Sequence, residues 1–275
     1  MIMKFTPALV IAAACFAVTS TQAEVRPHSL FSDGAVLQQD IEVPVWGAAN
    51  EGEAVTVEFN GQTVSTTAKE GKWRVKLKPL KAGGPFKLTI TGENTVVVND
   101  VLVGEVWVCS GQSNMDFNFK DSFNVNIEKE AANQRGIRMF SVTPKTFPWP
   151  VTEVVGKWSV CTPATIGNFS AVGYFFARDI HQATGAPVGM IRSSVGGTPA
   201  ETWISLAALE QNPKFATHAN AARALIAAYP SRKEKYPAEK AAYADRLARW
   251  KEASQSHETA LKEWSSQKKT GSGRG

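Results

Sequence analysis

The chain has 275 residues, of which 43% are hydrophobic, and a formal net charge of +5. This length allows one large domain or two modest ones, and the mean hydropathy of −0.18 argues against an integral membrane protein. Because the basic residues are scattered and the charge is weak, we expect no nucleic-acid partner.

Residues 1–23 have the pattern of an export signal. Lys4 supplies a positive start, residues 7–18 are apolar, and Thr21-Gln22-Ala23 has the small residues of a cleavage site. The apolar run is too short to span a bilayer. We therefore expect a mature chain that begins near Glu24, is secreted or periplasmic, and has no membrane attachment after cleavage.

Residues 24–104 predict a small all-β sandwich domain. Short alternating runs follow one another at regular spacing without a helical period. Asn60-Gly61 lies between two such runs and predicts a hairpin, and Gly83-Gly84-Pro85 predicts a further turn. A structural role is favoured for this domain, with carbohydrate binding through Trp46 and Trp73 as the alternative.

A candidate nucleophile follows, in a segment from Glu105 to Met115. The alternating apolar residues around Val103–Cys109 predict a buried strand, which breaks sharply before Ser113. A serine at the exit of a central strand can present its hydroxyl and its N–H to one cavity, as attack on a carbonyl requires. By itself the short motif is weak, and an ordinary polar turn is the alternative.

Residues 105–210 then alternate between strand and helix patterns. Strands are predicted at 137–142, 157–161 and 187–191, and a helix capped by Asn168 and ended by Gly185. The helix is expected to bury one apolar face, formed by Phe169, Val172, Phe176 and Ile180. This alternation predicts a parallel sheet with helices, whose site lies at the carboxyl ends of the strands.

The strand at 187–191 runs into a second candidate segment with two consecutive glycines. Gly196 or Gly197 allows close approach of a ligand to the backbone and can offer an N–H toward Ser113 if the two strands are neighbours. The alternative is an ordinary loop before a helix that starts near Pro199.

The rest of the chain is predicted to be helical over 211–270, followed by a flexible tail at 271–275. Seven residues repeat at alternating steps of four and three, which predicts a helix that packs against a partner; they are Tyr243, Leu247, Trp250, Ser254, His257, Leu261 and Trp264.

The cysteines and histidines are the candidates for disulfide and metal chemistry. Cys109 and Cys161 remain in the mature chain, as a disulfide or as two buried thiols. The four histidines do not cluster with acids, so no metal site and no cofactor are predicted; they are His28, His181, His218 and His257.

The two strand-exit motifs together carry a family resemblance. The matching blocks are 107–115 (WVCSGQSNM), 168–176 (NFSAVGYFF) and 188–203 (VGMIRSSVGGTPAETW), with Phe31-Ser-Asp33, Val36-Leu-Gln38 and 81–85 (KAGGP) before them. On these residues the chain resembles the sialate O-acetylesterase family of the SGNH hydrolase superfamily. The resemblance implies an α/β fold with a flavodoxin-like three-layer parallel sheet, preceded by the β-sandwich.

The resemblance also implies a reaction. Ser113 would attack an acetyl ester on a sugar, often sialic acid, and pass through an acetyl-serine. The N–H groups of Ser113 and of Gly196 or Gly197 would hold the oxyanion, with Gln112 and Asn114 as neighbouring oxyanion- or substrate-binding residues. The implied partner is an O-acetylated glycan or sialic acid, and no cofactor is required.

Two parts of the family pattern do not occur in this sequence. One is a Gln-Gly-Glu-Ser-Asn-like segment, which the resemblance implies as the source of an oxyanion-hole side chain. The resemblance also implies a later Asp-x-x-His that activates the serine, whereas Asp179-Ile-His181 has the wrong spacing for one face of a helix. We therefore expect the N-terminal part of such an enzyme, with an incomplete sheet and little activity alone. The alternative is a non-catalytic glycan-binding or interaction protein.

Overall fold

The structure is a computed structural model that describes residues 24–147 and 149–271. The predicted export signal at 1–23 and residues 272–275 of the predicted tail lie outside the described residues. The described residues divide into two compact units, one within 24–144 and 152–198 and the other within 145–147, 149–151 and 199–271.

The described residues form eleven strands and five α-helices. The strands are β1 Arg26–Pro27, β2 Val36–Gln38, β3 Val43–Ala48, β4 Ala54–Phe59, β5 Gln62–Thr67, β6 Lys72–Leu77, β7 Gly83–Thr91, β8 Thr95–Gly111, β9 Gln134–Val142, β10 Gly156–Cys161 and β11 Val188–Ser194. The helices are α1 Ser113–Asp116, α2 Val125–Ala131, α3 Ala171–Thr184, α4 Leu206–Glu210 and α5 Ala216–Gly271. Short 3₁₀ helices lie at Phe119–Asp121, Ile166–Asn168, Ala200–Trp203 and Pro213–Phe215.

The strands form a three-stranded sheet (β1-β3-β6) and an eight-stranded mixed sheet. The larger sheet has the order β10-β9-β11-β8-β7-β4-β5, and β2 pairs with β8. β9, β11 and β8 are parallel, as the strand–helix alternation predicted. β10 runs antiparallel to β9, so the expected all-parallel sheet is a mixed one. The α/β character and the strand-rich N-terminal region are both observed.

The N-terminal turns were predicted with mixed success. Asn60-Gly61 joins β4 to β5 as expected, with φ of 45° and 77° at its two residues, which is the geometry of a two-residue hairpin turn. Gly83-Gly84-Pro85 is not a turn, because it begins β7, where the pairing with β8 shifts register between Gly83 and Phe86. The turn residues there produce a bulged strand rather than a chain reversal.

β8 connects the N-terminal strands to the later ones without a break. The run at Thr95–Val98 and the run near Cys109, which the sequence pattern assigns mainly to two different domains, belong to this one strand of 17 residues. The predicted boundary between residues 104 and 105 lies inside it. Up to Val103 the strand pairs with β7, and from Glu105 onward it pairs with β11.

The exit half of β8 is less buried than the sequence pattern predicted. No strand among the described residues pairs with its other edge beyond Gly104. Trp107 is 42% exposed and Val108 is 69% exposed. Cys109 is buried, because it faces α3 in a second hydrophobic cluster with Met190 and Tyr174.

Helix α3 exists as predicted, but only part of its predicted apolar face is buried: Phe169 is buried and Ile180 packs against the same cluster. Its cap is Ser170, whose hydroxyl accepts the N–H of Gly173, and not Asn168. Val172 and Phe176 are about half exposed, whereas the buried positions are Ala171, Gly173, Tyr174 and Ala177. Small residues let helix α3 pack closely on the sheet. A search for large apolar residues at helical spacing does not detect such a face. Gly185 ends the helix in the left-handed conformation, as predicted.

The second unit contains α4 and the 56-residue helix α5. Five of the seven repeating residues of α5 are exposed: Tyr243, Trp250, His257, Leu261 and Trp264. The partner predicted for this face stays a prediction. Among the described residues, no helix combines the length and the apolar character needed to cross a bilayer.

Gly104 is expected to be essential where β8 meets β11. A Cβ atom added to Gly104 would collide with the carbonyl group of Pro187, while the next residue, Glu105, donates its N–H to the same carbonyl at 2.8 Å. Gly104→Ala should lower the free energy of unfolding by about 1–3 kcal/mol, the usual cost of overpacking. Urea unfolding followed by circular dichroism measures this.

Gly167→Ala provides the matched control for that measurement. A Cβ atom at Gly167 would lie at an ordinary 3.7 Å from Lys120 Cβ, so its stability should change by no more than about 0.5 kcal/mol. Equal stabilities for both variants would contradict the packing at Gly104.

Candidate active site

Ser113 lies at the point where β8 ends and α1 begins. Its side chain is exposed, and its hydroxyl donates to Oε1 of Gln112 at 3.2 Å. Gly111, with φ of 130°, makes the sharp exit from the strand. Asn114 is exposed beside it. The hydroxyl is therefore accessible to a substrate, as a nucleophile must be.

The second glycine segment lies next to this serine. β11 is the parallel neighbour of β8, with Ser193 opposite Ser110 and Ser194 opposite Gly111. The two strands are therefore neighbours, which is the condition under which the glycine segment can face Ser113. A Cβ atom added to Gly196 would lie 3.9 Å from Cα and 4.0 Å from Cβ of Ser113, which places the turn in van der Waals range of the serine.

The amides of this turn have different partners. The N–H of Val195 donates to the Gly111 carbonyl at 3.1 Å, and that of Gly196 faces the Asp116 carboxylate and helps to lower its pKa. Gly197, with φ of 76°, has open space at its Cβ position and no hydrogen-bond acceptor for its N–H among the described residues. Of the two candidate glycines, Gly197 therefore has the amide that is free for a ligand.

An ion pair links the two segments, and sequence reasoning missed it. Nη2 of Arg192 lies 2.7 Å from Oδ1 of Asp116, and the Ser194 hydroxyl donates to the same oxygen at 3.0 Å. Asp116 lies one helical turn after Ser113, and Arg192 lies four residues before Gly196. The sequence contained one signal for this pair: an acidic residue, Asp116, beside the first motif and a basic residue, Arg192, beside the second.

The surroundings of Asp116 keep its carboxyl group ionised. Burial alone would raise its pKa, but hydrogen bonds from Arg192 and Ser194, the Arg192 charge and the Gly196 N–H together hold the pKa below its ordinary value. A carboxyl whose pKa is depressed by folding contributes stability above its unfolded pKa, about 3.9. That contribution is lost as the pH falls through the lowered value.

The histidines of this unit are engaged elsewhere. Nδ1 of His181 lies 2.6 Å from the Ala186 carbonyl, and the neighbouring Asp179 pairs with Arg178. Burial lowers the pKa of His28, against the raising effect of Glu153. Among the described residues, the hydrogen-bond partner of the Ser113 hydroxyl is the amide of Gln112, which is not a base at neutral pH.

Two further histidines belong to the second unit. Nδ1 of His218 lies 3.5 Å from Oε1 of Glu201, and His257 is exposed on α5. Within residues 24–147 and 149–271, no group of three or more histidine, cysteine or acidic side chains is arranged to hold a metal ion.

Cys109 and Cys161 are both buried and both carry free thiols. The disulfide alternative is therefore not the one that the structure adopts. Burial raises the pKa of the Cys109 thiol, which nearby Arg192 partly offsets. Burial also raises the pKa of Cys161 to about 11, although a backbone hydrogen bond from Gln134 opposes it. Both groups are thus protonated and unreactive at neutral pH.

Alkylation with iodoacetamide tests the state of these cysteines. In the folded protein at pH 7.5, both thiols should react slowly, because the reactive thiolate is scarce and shielded. After unfolding without any reductant, peptide mass spectrometry should find both residues alkylated. A peptide pair joined through these two residues would contradict the free-thiol state.

Comparison with known proteins places the chain in a family. The family model described as "Carbohydrate esterase, sialic acid-specific acetylesterase" matches residues 103–264, more than half of the chain. The chain belongs to this esterase family. The matched region begins inside β8 and includes both strand-exit segments of this chain, the one at Ser113 and the one at Gly196-Gly197.

Individual relatives agree with this membership. The chain is 35% identical over 202 residues to the sialate O-acetylesterase of Homo sapiens, covering 66% of this chain and 39% of the relative. It is 36% identical over 187 residues to that of Rattus norvegicus, covering 60% and 34%. The chain therefore spans less than half the length of these curated relatives.

A solved structure resembles the chain as well. It is a carbohydrate acetylesterase from Xanthomonas citri, with a TM-score of 0.66 and 36% identity, and the match covers 70% of this chain and 45% of that one. The α/β fold with its mixed sheet is thus shared with an esterase of the same broad class.

Proposed function

We propose that this chain is part of a serine-type carbohydrate O-acetylesterase whose nucleophile is Ser113. One observation carries the proposal: the exposed Ser113 hydroxyl lies beside the Gly196-Gly197 turn, at the exits of two neighbouring parallel strands. Ligands bind at such strand exits in open α/β sheets. Membership of the acetylesterase family supports the same reaction.

The reaction has two steps. In the first, Oγ of Ser113 bonds to the acetyl carbon, the bond from that carbon to the sugar oxygen breaks, and the sugar leaves with a proton. In the second, water attacks the acetyl-serine, acetate leaves, and the serine hydroxyl is restored. The N–H groups of Ser113 and Gly197 are the proposed donors to the oxyanion that forms in each step.

Activation of the serine requires a proton acceptor. The family resemblance implies a histidine in an Asp-x-x-His segment, which does not occur in this sequence. We propose that the chain alone hydrolyses esters slowly. Serine hydrolases that lack triad members accelerate the reaction only roughly 10³–10⁴-fold over the uncatalysed reaction in water.

The proposed substrate is an acetylated sugar, with O-acetylated sialic acid as the first candidate. The human and rat relatives are named for sialate, and the bacterial structure is named for carbohydrate. We further propose that the three parallel strands belong to a three-layer sheet of the SGNH type, and that the protein is exported to the periplasm or secreted.

A fluorophosphonate probe tests the nucleophile directly. Ser113 should attack the phosphorus and expel fluoride, adding one probe to the peptide that contains it, even if turnover is slow. Ser113→Ala should abolish this addition and the protein-dependent release of acetate from O-acetylated sialic acid. Mass spectrometry locates the probe, and an enzyme-coupled assay measures acetate.

Ser110→Ala serves as the matched control, because Ser110 is an exposed serine at the end of the same strand. It should react with the probe as fast as the unmodified protein. A probe attached elsewhere, or acetate release that survives Ser113→Ala, would remove Ser113 from the mechanism.

A second candidate function, glycan binding, rests on a cleft in the N-terminal region. The cleft has a volume of about 420 Å³ and contains the partly exposed Trp46, with Lys72, Arg74 and Glu153 at its walls. Among the described residues, Lys72 and Arg74 form no ion pair. An indole beside free cationic groups suits a sugar that carries a carboxylate.

Only one of the two tryptophans singled out from the sequence fits this role. Trp73 is 3% exposed, and its Nε1 donates to the Ala48 carbonyl at 3.1 Å. Its ring therefore supports the sheet, and Trp46 is the one available for stacking.

If the cleft binds acidic sugars, Trp46→Ala should weaken the binding of sialic acid at least about tenfold, through lost aromatic contact. Isothermal titration calorimetry measures the change, with Trp250→Ala, an exposed tryptophan on α5, as the control. Arg74→Gln gives a second variant should Trp46→Ala fail to fold. Unchanged affinity in both cleft variants would exclude the cleft as a sugar site.

A further inference from the structure

The strongest unassigned feature is the position of Asp116 between the nucleophile and the glycine turn. Its carboxylate belongs to α1, the short helix that begins at Ser113, yet it accepts hydrogen bonds from the other segment. The donors are Nη2 of Arg192 at 2.7 Å and the hydroxyl of Ser194 at 3.0 Å. The backbone of Gly196 lies beside the same carboxylate, since a Cβ atom there would be 3.7 Å from Oδ2 of Asp116. One carboxylate thus fastens the turn to the helix of the nucleophile.

Arg192 extends this connection in the other direction. Its guanidinium also donates to the Asp116 carbonyl at 2.8 Å, to Oδ1 of Asn118 at 3.2 Å and to the Asn168 carbonyl at 2.9 Å. Its side chain is only 16% exposed, so the guanidinium itself is largely buried among these acceptors. A planar fork of donors can reach several acceptors at once, which a lysine ammonium cannot reproduce.

These bonds decide which amide of the turn remains available. The N–H of Val195 donates to the Gly111 carbonyl at 3.1 Å, and the N–H of Gly196 faces the Asp116 carboxylate, whose pKa it helps to lower. Gly197 follows directly, in a left-handed conformation that glycine adopts readily. The N–H groups of Val195 and Gly196 therefore face acceptors within the protein, whereas the N–H of Gly197 is available to a substrate.

We propose that Asp116 is a positioning residue, which with Arg192 holds the 195–198 turn against α1 so that the Gly197 N–H is reserved for the oxyanion. The inference rests on the proposed function, because it names the group that sets the geometry of that same site. Arg192 neutralises the carboxylate, which otherwise would place an unbalanced negative charge next to the developing oxyanion.

Asp116→Asn tests this, since it keeps the side-chain size and removes the charge. The maximal rate of Ser113 labelling by the fluorophosphonate probe should fall between about 10- and 100-fold, because small misplacements of reacting groups cost that much. The probe concentration that gives half the maximal rate should change little. Arg192→Lys should also react slowly, since one ammonium cannot replace the fork.

Glu128→Gln is the matched control. Glu128 forms an ion pair of similar exposure with Arg178, at 3.1 Å between α2 and α3, and it contacts neither the serine nor the turn. Its loss should leave the labelling rate of Ser113 unchanged. A slow Glu128→Gln variant would mean that any lost ion pair slows the reaction, which overturns a positioning role for Asp116.

A measurement on the unmodified protein does not depend on any variant folding. With ¹⁵N-glycine labelling, the Gly196 amide proton should shift as Asp116 titrates in acid, whereas the Gly197 amide should not. The charged group that faces Asp116 is Arg192, at 2.7 Å from its Oδ1. A Gly196 resonance that is indifferent to acid would overturn the inference.

The outcomes separate this inference from the function on which it rests. If the unmodified protein does not label at Ser113, the proposed nucleophile is wrong, and the Gly196 titration alone decides whether Asp116 holds the turn. If the protein labels and Asp116→Asn labels equally fast, the nucleophile stands and the positioning role is wrong.

Discussion

The parallel pairing of β11 with β8 is the constraint on which the candidate site depends. Because parallel strands end at the same edge of a sheet, this pairing brings together two segments that lie about eighty residues apart in the sequence. The approach is close at the start of the pairing, where Gly104 faces the Pro187 carbonyl. The register of this pairing places Ser113 and the backbone of Gly196 next to each other at the ends of the two strands.

The sequence pattern predicted this juxtaposition because both motifs depend on backbone geometry. A strand that breaks at glycine and serine leaves a recognisable signature, as does a pair of glycines after a buried strand. The hairpin at Asn60-Gly61 was equally predictable, since its residues tolerate positive φ. Elements defined by their own local chemistry are the ones that a single sequence specifies best.

Features that depend on tertiary neighbours were harder to predict. The buried face of α3 includes Gly173, whose lack of a side chain matters because Cys109 and Met190 lie opposite it. The ion pair of Asp116 and Arg192 joins residues far apart in the sequence, and no local pattern connects them. The continuity of β8 was missed because its polar centre, at Asn99 and Asp100, resembles a turn between two strands.

The continuity of β8 has a consequence for how the N-terminal region and the later strands evolve. The N-terminal strands and the strand of the nucleophile share one backbone ladder and one hydrophobic cluster, to which Phe140 of β9 and Trp158 of β10 also contribute. No linker separates them along β8. Recombination that replaced the N-terminal region would strip hydrogen-bonding partners from β8 and uncover apolar side chains of the neighbouring strands. The two regions are therefore expected to evolve as a single module, with loops rather than domain exchange providing variation.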